Sequence, residues 1–274
     1  LFFFKQKTAY EICVCDWCSD VCSSDLSSGG GASGSSLSAQ MRADSLNAVY
    51  SADLIFGGEW RLDENGWWFV GNDGSYPKNV WAELTWNGQT GWYYFNAQGY
   101  MQTGWLQESG DWYYLKSSGA MVSNASVKVS DGTYWYMNGS GRHDKQAGID
   151  IIMRTARSLL GVPYVWLGVY PQDGGMDCAS FTWYLYKQLG IDIGFETYDQ
   201  MYSGVRVFGD PQPGDIILMY YGAWPNYNPM LPEHVVLYAG GGMIYEEPTF
   251  GGRCQYVSLA SKGASTTTAQ RILS

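Results

Sequence analysis

Between residues 58 and 143 one short pattern recurs four times, and it leaves few folds open. Aromatic triplets stand in Gly66-Trp67-Trp68-Phe69, Gly91-Trp92-Tyr93-Tyr94, Asp111-Trp112-Tyr113-Tyr114 and Thr133-Tyr134-Trp135-Tyr136. A glycine follows each triplet five residues after its last aromatic: Gly74, Gly99, Gly119 and Gly141. Two residues further on, the first three units carry an apolar side chain: Tyr76, Met101 and Met121. A unit of about twenty residues cannot bury a core alone, so the pattern predicts an all-β solenoid of stacked hairpins. Alternate residues of each strand must face inward, so some rings are core. Hairpins this small leave other ring faces at the seams, where Trp, Tyr and Met can box a quaternary ammonium group by cation–π attraction.

Composition narrows the partners. The chain of 274 residues carries a net charge of −10 and stays acidic without its first 26 residues, which argues against a nucleic-acid surface. No apolar run approaches the roughly 20 residues of a membrane span. Four of the six cysteines, Cys13, Cys15, Cys18 and Cys22, crowd the start and suggest a metal or disulfide cluster. Lys5 to Ile12 and Asp20 to Leu26, however, resemble translated short-read sequencing adapter, so residues 1–26 are set aside as an artefact. On that reading the natural N-terminus is missing, and a signal peptide is expected to have been lost with it. Residues 27–57 read as a Gly/Ser-rich linker and lead-in. No metal and no cofactor is expected.

Past His143 the texture changes, and residues 146–274 read as a second domain. Ile149, Ile152, Met153, Ala156, Leu159 and Leu160 fall at helical spacing, with Gly161 and Pro163 as the stop. A second helix is predicted from about Asp177 to Gln188, closed by Gly190, with Phe181, Leu185 and Leu189 as its buried stripe. Strands follow at Ile216–Tyr220, His234–Tyr238, Met243–Glu246 and Cys254–Leu259. Helices followed by consecutive antiparallel strands make an α+β order.

Cys178 stands at the mouth of the second helix, where free backbone N–H groups and the helix dipole favour a thiolate. A nucleophilic thiol needs a base and a third group to orient that base. The chain has two histidines. His143 lies at the domain junction and reads as a solvated linker residue. His234 opens a strand and is the candidate base. Glu246 either holds the second ring nitrogen of His234 or is an exposed strand-end carboxylate. Cys254 reads as structural.

Two resemblances add to this reading. Gly104-Trp105, Trp112-Tyr113-Tyr114 and Gly119-Ala120-Met121 resemble the choline-binding (cell-wall-binding) repeat. This implies anchoring to choline or a related wall polymer through Trp92, Trp105, Trp112, Tyr113, Tyr114 and Met121. Two departures stand out: Asn124-Ala125 replaces Gly104-Trp105 in the next unit, and Trp81 to Trp86 reads as an insertion in the first.

The second half resembles the NlpC-type papain-like cell-wall peptidases. The matching residues are Gly161-Val162-Pro163-Tyr164, Met176-Asp177-Cys178, Pro213-Gly214-Asp215, His234-Val235-Val236-Leu237-Tyr238 and Met243-Ile244-Tyr245-Glu246. The resemblance implies a papain-like fold, with helices packed on an antiparallel sheet. It implies a cysteine endopeptidase of peptidoglycan stem peptides, secreted and associated with the cell wall. Cys178 is then the nucleophile, His234 the base and Glu246 the third residue, with Tyr164, Asp177 and Ser180 toward the substrate. Ala179 stands where the family commonly has a hydroxyl. Two other readings remain: an inactive wall-binding protein, and an amidase cutting the sugar–peptide bond.

Overall fold

Each aromatic triplet lies in the second strand of a two-stranded antiparallel hairpin. A computed structural model describes residues 57–222, 228 and 230–274. The segment 1–26, the linker before Gly57 and most of the loop between Gly222 and Glu233 lie outside the described residues. The hairpins pair β1 (Gly58–Asp63) with β2 (Gly66–Gly71), β3 (Val80–Trp86) with β4 (Gln89–Phe95), β5 (Gly104–Glu108) with β6 (Asp111–Leu115), and β7 (Ala125–Lys128) with β8 (Tyr134–Met137).

The repeated glycines couple each turn to its neighbour. Gly99, Gly119 and Gly141 all have φ between 79° and 89°, in the left-handed region that favours glycine. A Cβ at Gly99 would stand 2.6 Å from Tyr76, and Cβ atoms at Gly119 and Gly141 would run into Met101 and Met121. The missing side chain thus makes room for the apolar residue of the unit before. The main chain repeats the link: Met101 N–H donates to Trp67 O, Met121 N–H to Trp92 O and His143 N–H to Trp112 O, each at 2.8 Å.

Three expectations change here. Trp81 to Trp86 is most of β3, whose residues pair along the whole of β4, so the extra length there extends a hairpin of the repeat instead of interrupting it. The position of Trp105, opposite Tyr114, falls in the last hairpin to Ser126, opposite Tyr136, rather than to Asn124-Ala125. His143 is no solvated linker residue, because it occupies the place that Met121 holds one unit earlier and is half-buried there.

The second half has helices α1 (Lys145–Ser158), α2 (Cys178–Lys187) and the single turn α3 (Thr197–Gln200). Its sheet comprises β9 (Val205–Val207), β10 (Ile216–Tyr220), β11 (His234–Gly240), β12 (Met243–Glu246), β13 (Gln255–Ser258) and β14 (Thr266–Arg271). The strand order is β13-β12-β11-β10-β14-β9, antiparallel throughout. Asp144 caps α1 by accepting the Ala147 N–H at 2.9 Å. The sheet alternates as a strand must. Ile216, Leu218, Val235 and Leu237 join the core with Ile152, Phe181 and Leu185. Ile217, Met219, Val236 and Ile244 form a smaller cluster from the intervening positions.

The turn between β8 and α1 falls at the expected boundary, but contacts cross it. Tyr134 N–H donates to Ile272 O at 2.8 Å, and Ser274 N–H to Tyr134 O at 3.2 Å, so the end of the chain runs parallel beside β8. Tyr136 is buried in the same core as Ile149 and Leu273. Ser126 N–H donates to Leu189 O at 3.1 Å, so the second half stands where earlier hairpins carry a tryptophan.

Candidate active site

Helix α2 begins at Cys178, and the residues around it hold that start in place. Asp177 is the N-cap: its Oδ1 accepts the Ser180 N–H at 2.8 Å, while Ser180 Oγ accepts the Asp177 N–H at 2.8 Å. Reciprocal caps of this kind satisfy two otherwise orphaned donors, with a single cap worth about 0.5–2 kcal/mol. Asp177 Oδ2 accepts the Leu167 N–H at 2.9 Å, tying the segment after Tyr164 to the same point. Asp177 and Ser180, expected toward the substrate, are therefore buried and bonded to each other. Ala179 is buried too, and its carbonyl accepts Gln200 Nε2–H at 2.8 Å, so the altered position packs inward. Below, Phe181 and Leu185 are fully buried, as the helical stripe requires.

His234 comes from the start of β11 and Glu246 from the end of β12. The register pairs Leu237 with Tyr245, which sets Glu246 opposite Val236, two residues on from His234 and on the same face. Such diagonal neighbours are within reach of long side chains. The Nε2 of His234 lies 2.8 Å from Glu246 Oε2, and Cys178 is close enough to the ring to raise its pKa. With Nε2 engaged by the carboxylate, Nδ1 is the nitrogen left for the thiol. Glu246 is 0% exposed, which excludes the strand-end alternative.

The electrostatics follow from this burial. Burial alone would lower the His234 pKa, but hydrogen bonds and charge attraction from Cys178 and Glu246 raise it to about 9. Burial would raise Glu246, yet bonds from His234, Lys262 and Gln255 pull it down to about 2. Lys262 Nζ and Gln255 Nε2 reach Glu246 Oε1 at 2.5 and 2.8 Å. These two supports were not foreseen; each sits on or beyond a strand that only the folded register brings back. Tyr164 is half-buried and its phenol is pushed up by burial, then by Cys178, Asp177 and Glu247. Tyr221, also unforeseen, is raised by burial, then by Glu246 and Cys178. Neutral phenols therefore flank the thiol.

Two neighbours take no part in this network. Cys254 is buried and its thiol is pushed up to about 12 by burial and by Glu247 and Glu246. Glu247 is fully buried with no partner for either carboxylate oxygen, and burial, Asp177 and Glu246 raise it to about 8. Among the described residues, no three His, Cys, Asp or Glu side chains are grouped to hold a metal ion. None of the described helices is long and apolar enough to cross a membrane.

The aromatic residues divide between two seams. Trp81, Tyr113 and Leu115 are buried together, with Trp92, Tyr94 and Met121 packed against them. Tyr113 is thus core. The next seam uses the equivalent positions one unit on. Trp105 and Trp112 are exposed at 38% and 36%, and Trp135 completes the group. The three rings are nearly perpendicular to one another, at 72–82° for Trp105 with its two neighbours and 68° for Trp112 with Trp135. Their centroids lie 5.0–6.5 Å apart. Tyr114 stands edge-on to Trp105 at 4.8 Å. Trp135 was missed as a seam residue. Aligning its triplet with Asp111-Trp112-Tyr113-Tyr114 puts it at the position of Tyr113.

A buried Cys–His–Glu network on an α+β domain, preceded by aromatic hairpins, defines a class of thiol-bearing domain joined to a repeat module. Residues 161–272 match the NlpC/P60 family model, and residues 85–126 match the choline-binding repeat model. The C-terminal half thus resembles an NlpC/P60 domain. It is similar to the gamma-D-glutamyl-L-lysine dipeptidyl-peptidase of Bacillus cereus, 28% identical over 51% of this chain and 39% of the relative. It is also similar to the peptidoglycan endopeptidase RipB of Mycobacterium tuberculosis, 28% identical over 48% of this chain and 56% of the relative. Among solved structures, the NlpC/p60 domain of peptidoglycan hydrolase SagA matches at 29% identity and a TM-score of 0.38, covering 44% of this chain and 97% of that one. The chain spans about two fifths to just over half the length of these curated relatives.

Proposed function

We propose that this protein is a papain-like cysteine endopeptidase of peptidoglycan stem peptides, held on the bacterial wall by its N-terminal hairpins. The observation that carries the reading is the bond of 2.8 Å from His234 Nε2 to Glu246, with Cys178 as the ring's other partner. His234 takes the thiol proton and the Cys178 thiolate attacks the amide carbonyl. Backbone N–H groups at the start of α2 stabilise the oxyanion. The imidazolium returns its proton to the leaving amine, and water then releases the acyl group from sulfur. Glu246, kept ionised by Lys262 and Gln255, fixes the ring and stabilises its charged form. Tyr164 and Tyr221 are placed to meet substrate beside the thiol.

The hairpins stack as a solenoid whose open seam, Trp105, Trp112 and Trp135, holds choline or a related cationic wall group. Holding the enzyme on an insoluble substrate raises its effective concentration there without a new catalytic contact. The protein accordingly works outside the cell, at the wall. The names of its relatives direct attention to the γ-D-glutamyl–L-lysine bond. Mass spectrometry of muropeptides digested by the full chain tests this. A free γ-D-glutamyl carboxyl paired with a new amino-terminal diamino acid supports the reading. A freed lactyl group on the sugar would instead make the protein an amidase.

A further inference from the structure

The open seam ends on a histidine. In the two repeat units before it, the residue two places after the turn glycine is Met101 or Met121; here it is His143. Its N–H donates to Trp112 O, as the N–H of Met121 does to Trp92 O. Its ring lies flat on Trp135, with centroids 4.2 Å apart and planes 12° apart. Trp135 in turn stands 5.0 Å from Trp105 and 5.9 Å from Trp112. A ring that meets both other rings of the seam therefore has a titratable ring stacked on it.

We propose that His143 is the specificity-determining residue of this seam: the seam takes a quaternary ammonium group while the imidazole is neutral and loses affinity once it is protonated. This rests on the reading that the repeats bind a cationic wall group. A protonated imidazole on Trp135 satisfies the ring's negative π face with its own charge. It also sets one cation beside another in a part-buried site, where repulsion is weakly screened. A methionine at the same place would do neither.

The surroundings favour the neutral form of the ring. Burial lowers the His143 pKa most strongly, against the hydrogen bond between its Nε2 and Ser274 O at 3.1 Å and the nearby Asp144; Lys145 lowers it further. From the neighbouring strand, Asp111 faces Arg142 at 3.3 Å, so that pair brings little net charge. The contact to Ser274 also ties the seam to the end of β8's parallel neighbour, and hence to the catalytic half.

The test uses the full chain with choline chloride as probe. Its affinity is read by tryptophan fluorescence at about pH 7.5 and about pH 5, either side of an ordinary imidazole. The expected result is binding at least about fivefold tighter at the higher pH, a coupling of ordinary size. His143→Met should bind at both pH values with that dependence abolished. By reciprocity, saturating choline should lower the titration midpoint of His143 in proton NMR and leave that of His234 in place. The chain's two histidines keep these signals separable, and this arm decides the matter should His143→Met fail to fold. Equal affinity at the two pH values, or the same dependence in His143→Met, overturns the proposal alone. No choline response in either protein at either pH overturns it together with the wall-binding reading.

Discussion

The hairpins and the C-terminal half distribute their working residues in opposite ways. In the hairpins, each seam reuses the same register positions, and the residues concerned stand within about two units of one another in sequence. In the C-terminal half, the network is built once, from a helix start, two strand ends and a turn that span Cys178 to Lys262. A repeated site can vary from copy to copy, as the buried Trp81–Tyr113 seam and the open Trp105–Trp112–Trp135 seam do. A site assembled once has no second copy to compensate. Damage to the first should therefore be graded, and damage to the second close to complete.

The sharpest break of this contrast is His234→Ala. It removes the base outright, and general-base catalysis is worth about 10²- to 10⁴-fold, so peptide release should fall by that factor while wall binding is unchanged. Glu246→Gln should cost less. A hydrogen bond to a charged group is worth about 1.5–3 kcal/mol, which corresponds to roughly ten- to a hundredfold in rate. It also has a signature in pH. Glu246 helps to raise His234 to about 9, so its loss lowers the imidazolium's pKa and moves the alkaline limb of the rate profile to lower pH. The same raised pKa contributes stability that is full below the ordinary 6.5 and lost as pH rises through about 9. A pH profile with an unmoved alkaline limb would count against the role given to Glu246.

The two seams give a graded comparison. Trp105→Ala removes one ring of the open box, and at roughly 0.5–2 kcal/mol per ring it should weaken retention on choline resin about two- to thirtyfold. Trp81→Ala, at the equivalent buried position, should instead lower the melting temperature and leave the open seam's affinity nearly intact. Equal effects on binding would erase the distinction drawn between the seams. The smallest expected effect is Glu247→Gln. Its carboxyl is held near 8 against an ordinary 4.5, so the fold loses stability as pH rises from 4.5 toward 8. The amide should stabilise by about 1 kcal/mol, or roughly 2–4 °C, with the gain growing across that interval in thermal melts.

What could be read from the sequence was whatever local spacing encodes. Asp177, Cys178 and Gly190 marked the bounds of α2, and the apolar stripe Phe181, Leu185, Leu189 faces the core as its period requires. Strands β10, β11 and β12 stood out because both their faces are buried. Strand β14 did not, since Thr266-Thr267-Thr268 reads as a loop until β10 and β9 flank it. Gln255 and Lys262 were invisible for a related reason: their importance comes from a strand pairing and a turn, not from their neighbours in the chain. His143 was misread because a histidine in a methionine's place breaks the pattern that would have located it.

The central claim, that Cys178 attacks an amide of the wall peptide, is tested most directly by new amino termini released from purified peptidoglycan. The full chain and its Cys178→Ala variant are compared, with the bound fraction measured in the same tubes. The account predicts steady release by the wild type, none above background by the variant, and equal binding by both. Release that persists in Cys178→Ala would contradict it.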